Sequence, residues 1–219
     1  MSAMMTSDHP GGGLYQYRPT LQMLDRQACL RIHEASLKIL KQTGIEVFQA
    51  EGLALLKEAG ARVTDSGRVI IPPSLAEWAL AAVPGPFNLY QRGSDQIAIR
   101  LDGMHVYFGP GSDTVHYLDP RSGQRRDYTL DDIGDCMRVV DALPQIGFAM
   151  SVGVPRDVPP EVYYRHQFAR MLGSTTKPIV IVCANLGDIQ AVHAMAAAVA
   201  GGVERLAQYP TLLLYSEPS

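Results

Sequence analysis

Two short stretches of the 219-residue sequence concentrate groups able to hold a small molecule. Gly109-Pro110-Gly111-Ser112-Asp113 follows the apolar run Val106-Tyr107-Phe108, and Ser216-Glu217-Pro218-Ser219 follows the run from Thr211 to Tyr215. Glycine lets backbone amides approach a ligand closely, and Asp113 and Glu217 supply negative charge. Aromatic residues crowd the same stretches: Tyr107, Phe108, Tyr117 and Tyr215. A tyrosine or phenylalanine box holds a quaternary ammonium by cation–π attraction. Side chains alternate along a strand, so Tyr107 and Phe108 face opposite ways and at most one lines a site. Core packing is the simpler role for each aromatic, and it is the expectation for Phe108. Gly-Pro-Gly also makes a tight turn, so turn and ligand loop remain open together for 109–113. Further polar clusters run from Ser151 to Asp157 and from Asn185 to Asp188, where Asp188 reads as a helix N-cap.

Several chemistries find no support. The six histidines show no metal-ligand spacing: His9 lies in the N-terminal tail, and His33, His166 and His193 fall on separate helical patterns. His105 and His116 flank the Gly-Pro-Gly loop and would meet if it folded as a hairpin, but no metal site is expected. No Ser/His/Asp set can be assigned, and no G-x-S-x-G occurs. The formal net charge of -3 argues against nucleic acid, which favours a basic stripe. The densest basic group, Arg121 with Arg125 and Arg126, reads as a solvated loop. Cys29, Cys136 and Cys183 are odd in number and far apart, so they read as buried small hydrophobes in a reducing, cytoplasmic compartment. Residues 1–13 lack the apolar core of a signal peptide, and no run of about 18 apolar residues suggests a membrane span.

The elements that must position these groups follow from periodicity. Residues 1–20 read as a disordered tail. Residues 21–100 read as a small α+β unit. Its first helix starts at the N-cap Asp25, presents Cys29, Ile32, Ser36, Ile39, Leu40 and Thr43 on one face, and ends at Gly44. Its second helix covers 51–59, residues 61–63 and 69–71 form a hairpin, and a third helix after Pro73 turns Leu75 and Trp78 inward. Beyond residue 100 the rhythm changes. Thr129 with Asp132 at N3 caps a helix over 130–142 that shows Ile133, Met137 and Val140. Apolar strand candidates begin at Gly147, Ile179 and Thr211, an interval of 32 residues each time. Between them lie helices over 160–172, closed by Gly173, and 189–200, closed by Gly201-Gly202. Continuous apolar strands alternating with helices indicate βαβ units and a parallel sheet. No G-x-G-x-x-G follows these strands, which lowers the nucleotide-binding reading and favours a barrel.

The predicted fold is therefore α/β: the first half of a (β/α)8 TIM-type barrel over 101–219, truncated after about four strands and preceded by the α+β unit. Closure takes about eight strands. Either a second copy completes the barrel as a homo-oligomer, or the sequence is a fragment of a longer protein, which is the expectation. Such a fragment is expected to be inactive alone, with an unpaired edge liable to aggregate.

Particular segments carry a resemblance. His33-Glu34-Ala35-Ser36 through Leu40 with Thr43-Gly44-Ile45, and Val69-Ile70-Ile71-Pro72-Pro73, are followed by Val106-Tyr107-Phe108-Gly109-Pro110-Gly111. Leu118-Asp119-Pro120 with Gly123 and Arg125-Arg126, Asp141-Ala142-Leu143-Pro144, and Lys177-Pro178-Ile179 come next. In order and spacing these segments resemble the trimethylamine methyltransferase family of corrinoid-dependent enzymes, although no single segment is a catalytic motif. The resemblance implies a barrel that moves a methyl group from a tertiary or quaternary amine, such as trimethylamine or a betaine, to the cobalt of a separate corrinoid protein. No cofactor would be bound directly. Family members are about twice this length, and the pyrrolysine of the founding enzymes falls in their second half, so the choice of amine is not legible here. Tyr107, Gly109, Gly111, Ser112, Asp113, Tyr215, Ser216 and Glu217 are the expected substrate-cavity residues. A different barrel enzyme, a lyase or isomerase acting on a small carboxylate, and a non-catalytic fragment are the competing readings.

Overall fold

Asp25 begins the described structure's first helix by accepting the Ala28 N–H at 2.6 Å, as a carboxylate N-cap does. The computed structural model describes residues 22–215; the expected tail over 1–20 lies outside the described residues. The chain divides after Pro84 into two compact units.

The first unit contains α1 (Arg26–Gln42), β1 (Ile45–Glu46), α2 (Ala50–Glu58), β2 (Arg62–Val63), β3 (Arg68–Ile70) and α3 (Pro73–Ala82). The strands form an antiparallel sheet in the order β1-β3-β2, and Val63↔Val69 gives the expected hairpin. Gly44 follows the C-cap Thr43 at φ +69° and donates to the Ile39 carbonyl at 3.0 Å. Arg68 then binds the end of α1 into the sheet: Nε donates to the Thr43 carbonyl at 2.7 Å, and Nη2 to the Gly44 carbonyl at 3.0 Å. A cation belongs there because the last carbonyls of a helix carry partial negative charge.

The period of α1 is as expected, but its phase is not. Of the expected face, Ile32 and Ile39 are 56% and 59% exposed and Cys29 is exposed, while Leu40 is half-buried as expected and is joined there by His33 and Leu37. The seam is set by α3, from which Glu77 meets His33 Nε2 at 2.7 Å. Trp78, expected inward, is 65% exposed at the border of an apolar groove that it shares with Leu40, Leu56 and Leu75.

The second unit begins with an antiparallel hairpin, β4 (Phe87–Tyr90) and β5 (Ile97–Leu101). Tyr90 N–H donates to the Pro210 carbonyl and Arg92 N–H to the Thr176 carbonyl, both at 2.8 Å. Pro210 and Thr176 immediately precede β9 (Leu212–Leu214) and β8 (Ile179–Ile181), so the hairpin covers the N-terminal ends of those strands.

The expected parallel order is present. Phe108 bridges Ile146, Ala149 bridges Ile179, and β8 pairs in parallel with β9. Segments 106–108 and 147–152 pair only through isolated bridges. Pro110 lacks the N–H needed to prolong the first of these ladders. Residues α4 (Leu130–Ala142), α5 (Tyr163–Leu172) and α6 (Leu186–Ala200) pack consecutively against one another, with α7 (Val203–Gln208) against α6. Ile133, Met137 and Val140 of α4 enter one core with Phe168, Met171, Ala149, Ile179, Ile181 and Val192. The architecture is α/β, and no sheet closes on itself among the described residues.

Four further expectations change. Residues 121–126 are only in part the expected solvated loop: Arg121 lies in an exposed turn organised by Asp119, which accepts the Arg121 and Ser122 N–H groups, but β6 (His116–Leu118) pairs antiparallel with β7 (Arg125–Asp127) and so takes Arg125 and Arg126 into a hairpin. Helix α5 starts at Tyr163 rather than at 160. Helix α6 is capped by Asn185, and Asp188 sits at N3 and donates its own N–H to the Asn185 side chain. Phe108 is 70% exposed because Tyr107 takes the packed face of that segment, against Gly147.

Gly44 generates a test. A Cβ there would lie 2.4 Å from the Val69 carbonyl oxygen while the residue sits at φ +69°. Gly44→Ala is expected to destabilise the protein by about 2 kcal/mol or more, since the left-handed backbone alone costs roughly 1–2 kcal/mol. Urea unfolding measures it.

Candidate functional site

The C-terminal ends of the first two parallel segments are clasped together. Val152 N–H donates to the Gly111 carbonyl and Thr114 N–H to the Val152 carbonyl, each at 3.1 Å. Thr114 Oγ1 donates to the same carbonyl at 2.6 Å, and Val154 N–H donates to the Thr114 carbonyl at 3.0 Å. Within the clasp two L-residues lie in the left-handed region, Asp113 at φ 55° and Val152 at φ 48°. Such a conformation costs about 1–3 kcal/mol per residue and persists only where its surroundings enforce it.

Asp113 is aimed by this backbone and by one side chain. The Ser151 hydroxyl, 2% exposed, donates to Asp113 Oδ1 at 2.9 Å. Gln167, fully buried on α5, supports the next turn: Nε2 donates to the Gly153 carbonyl at 2.7 Å and weakly to that of Ser151 at 3.4 Å. Its Oε1 has no partner among the described residues.

Asp113 itself makes no ion pair among the described residues. Several other aspartates of the second unit do: Asp188 with Arg165 at 2.8 Å, Asp131 with Arg170 at 2.8 Å, and Asp119 and Asp132 with Arg126 at 3.3 and 2.6 Å. Among the described residues of that unit Asp95, Asp141 and Asp157 share the lack of an ion pair, but Asp141 and Asp157 each accept a backbone N–H. The carboxylate at the strand ends therefore has a hydroxyl donor and no cation.

The expected site residues separate into those that meet and those that do not. Gly111 and Asp113 belong to the clasp. Gly109 lies under the Phe148 ring, where a Cβ would come within 2.3 Å of its atoms. Ser112 is half-buried between them. The Tyr107 hydroxyl accepts the Arg100 N–H at 3.0 Å, which directs it towards β5. Tyr215 donates its N–H to the Ile181 carbonyl at 2.9 Å and is 45% exposed. Ser216 and Glu217 lie outside the described residues. His105 and His116 do not meet: Asp102 binds the first at 2.7 Å and Asp127 faces the second at 3.5 Å. Among the described residues no group of three or more His, Cys, Asp or Glu is arranged to hold a metal.

Gln167 and the tyrosines at the start of α5 escaped the sequence reading. The available signal was a glutamine on the buried face of α5, beside Phe168 and Met171.

A second polar centre has a different character. Arg126 grips Asp132 with two bonds of 2.6 and 2.8 Å, reaches Asp119 at 3.3 Å, and lies 4.8 Å over the Tyr117 ring. Asp132 also completes the capping box of α4 with Thr129. The Arg126 bonds, outweighing burial, hold the Asp132 carboxyl well below the usual carboxylate range, with help from Thr129. These groups are saturated by one another, and this centre stabilises the hairpin–helix corner. Because the folded value is depressed, the stabilisation is complete above the unfolded value of about 3.9 and fades as pH falls below it. Asp132→Asn is expected to lose about 1–3 kcal/mol at pH 7, through the cap and the charge-assisted bonds. Urea unfolding of parent and variant should show that difference shrinking at pH 3.

Comparison with known proteins bears on this geometry. The model of the trimethylamine methyltransferase family matches residues 4–214. A trimethylamine methyltransferase from Desulfitobacterium hafniense is 31% identical over 180 residues, which is 82% of this chain and 36% of that protein. A glycine betaine methyltransferase from another strain of that species is 28% identical over 165 residues, 74% of this chain and 33% of the relative. An L-carnitine:corrinoid methyltransferase from Eubacterium limosum is 30% identical over 127 residues, 57% of this chain and 25% of that protein. The chain thus spans about a third of the length of the first two of these relatives. The chain belongs to the trimethylamine methyltransferase family.

Proposed function

We propose that the full-length protein removes a methyl group from a methylated amine, tertiary or quaternary, and delivers it to a corrinoid carried by a separate protein. The observation that carries this reading is Asp113, a carboxylate oriented by Ser151 at the C-terminal strand ends and matched by no cation among the described residues. In α/β barrels that end of the sheet is where substrates bind, and the half-barrel reading of 101–219 belongs to the same proposal. The relatives named for trimethylamine, glycine betaine and carnitine support an amine bearing N-methyl groups.

The reduced corrinoid supplies the nucleophile when its protein docks. What remains for this chain is to bind, orient and dry the substrate. A quaternary ammonium has no proton to transfer, so no general base is required; the site needs countercharge, shape and a fixed direction of approach. The donor set fits that task. Asp113 faces the cation, Ser151 holds one carboxylate oxygen so that the other is left for the substrate, and Gly109, Gly111 and Ser112 let backbone come close. Tyr215, Ser216 and Glu217 complete the proposed lining, whereas Tyr107 is held towards β5 by its hydroxyl. A small carboxylate substrate would instead meet Asp113 with like charge, which disfavours the lyase or isomerase reading.

The full-length protein, mixed with a reduced corrinoid protein and with trimethylamine, glycine betaine or carnitine in turn, is expected to release the demethylated amine, measured by NMR. Asp113→Asn should weaken substrate binding by about 1–3 kcal/mol, the scale of a charge-assisted contact, and Glu217→Gln should act in the same direction. No demethylation of any methylated amine by the parent would defeat the proposal.

A further inference from the structure

Tyr163 and Tyr164 open α5 with their rings stacked, centroids 4.1 Å apart and planes inclined by 30°. One turn further along, Gln167 binds the Gly153 and Ser151 carbonyls. Residues i and i+4 share a helix face, and helical side chains lean towards the N-terminus. Tyr163 therefore stands above the strand end at which Ser151 holds Asp113. Both tyrosines are half-buried. Burial first, then Tyr164 and the nearby Asp113 and Asp188 carboxylates, push the Tyr163 phenol above its usual range. The ring is thus a neutral phenol in a field of negative charge.

Resting on the methylated-amine reading, we infer that Tyr163, backed by Tyr164, forms the aromatic wall against which the methylated ammonium group packs, with Asp113 as its counter-charge. The ring face offers the negative end of its quadrupole to a cation that has no hydrogen to donate. A carboxylate alone attracts any cation. A carboxylate beside stacked aromatic faces selects one whose charge is spread over methyl groups, because such a group can shed water on the ring side at little cost. Asp188, the other acid near the ring, is neutralised by Arg165 and capped by Asn185, so Asp113 supplies the uncompensated charge.

The test uses the full-length protein and tetramethylammonium as probe, with affinity read by calorimetry. Tyr163→Phe should bind within about threefold of the parent, since the ring is retained. Replacing that phenylalanine with mono-, di- and trifluorophenylalanine should weaken binding stepwise, to about tenfold overall, because fluorine drains the ring face without changing its shape. Neopentanol, an uncharged analogue with one hydroxyl added to the same branched shape, should be indifferent to the series. Circular dichroism checks the fold of each variant, and Tyr163→Leu should lose at least as much affinity as the trifluoro variant. Affinity that stays flat across the fluorinated series overturns the aromatic wall. If the parent still demethylates a methylated amine in that case, the functional reading survives; a parent that neither binds tetramethylammonium nor demethylates an amine overturns both.

Discussion

Two L-residues held at positive φ face each other across the first two parallel segments, and the geometry of the strand ends depends on that contact. Asp113 sits at φ 55° and Val152 at φ 48°. Aspartate tolerates the left-handed region because its short polar chain bonds locally, whereas a β-branched valine there is an outlier. Four bonds among Gly111, Thr114, Val152 and Val154 enforce both conformations. The consequence is directional. A strand continuing in ordinary β geometry would point alternate side chains to opposite faces, but the reversal at 113 turns the carboxylate onto the Ser151 hydroxyl. Gln167 then fixes the opposing strand from the helix side, so the acid is positioned by both layers of the fold.

The same unit separates support from binding. The β4–β5 hairpin bonds to residues just before β8 and β9 and leaves the opposite ends uncovered. The Arg126–Asp132 centre joins a hairpin to a helix cap, and every charge in it is answered. Its guanidinium is partly exposed, so solvent screening lowers the energy of the pair and the cap carries much of its worth. Saturated polar groups hold a fold together; the polar group left unanswered is the one that can recognise something else.

What the sequence disclosed, and what it withheld, follows from the range of each interaction. The capping box of Thr129 and Asp132, the glycine end of α1 at Gly44 and the strands expected from Ile179 and Thr211 are local or periodic signals that the structure bears out in position, whereas the segment expected to start at Gly147 pairs only through isolated bridges. The α1 face was misjudged because periodicity gives a repeat but not which neighbour the helix meets; α3 decides that, through Glu77 and His33. Asp188 mimics a cap because Asn185, three residues earlier, is the residue that starts the helix. Arg126 looked like a loop cation because its partners, Asp119 and Asp132, are recruited by a hairpin whose strands are only three residues long. Asp113 was visible by type and place, in a glycine-rich stretch after an apolar run. Tyr163 and Gln167 were not, since nothing in an amphipathic helix reveals which turn lies over another strand's end.

An unpaired carboxylate at a half-buried position carries a cost, because it has given up hydration that donors or a cation must replace. Ser151 supplies one donor to Asp113, and the chain supplies nothing further among the described residues. The position is therefore better satisfied by a cation from outside than by the protein alone. A tightly hydrated inorganic ion or a lysine would bring its own water or hydrogen bonds and gain little from neighbouring ring faces. A methylated ammonium brings charge without donors, and it matches the proposed lining of glycine backbone and tyrosine. Attack on a carbon bound to such a nitrogen needs alignment above all. A rigid clasp at the strand ends, held by strained backbone and braced by Gln167, supplies alignment more directly than any acid–base pair could.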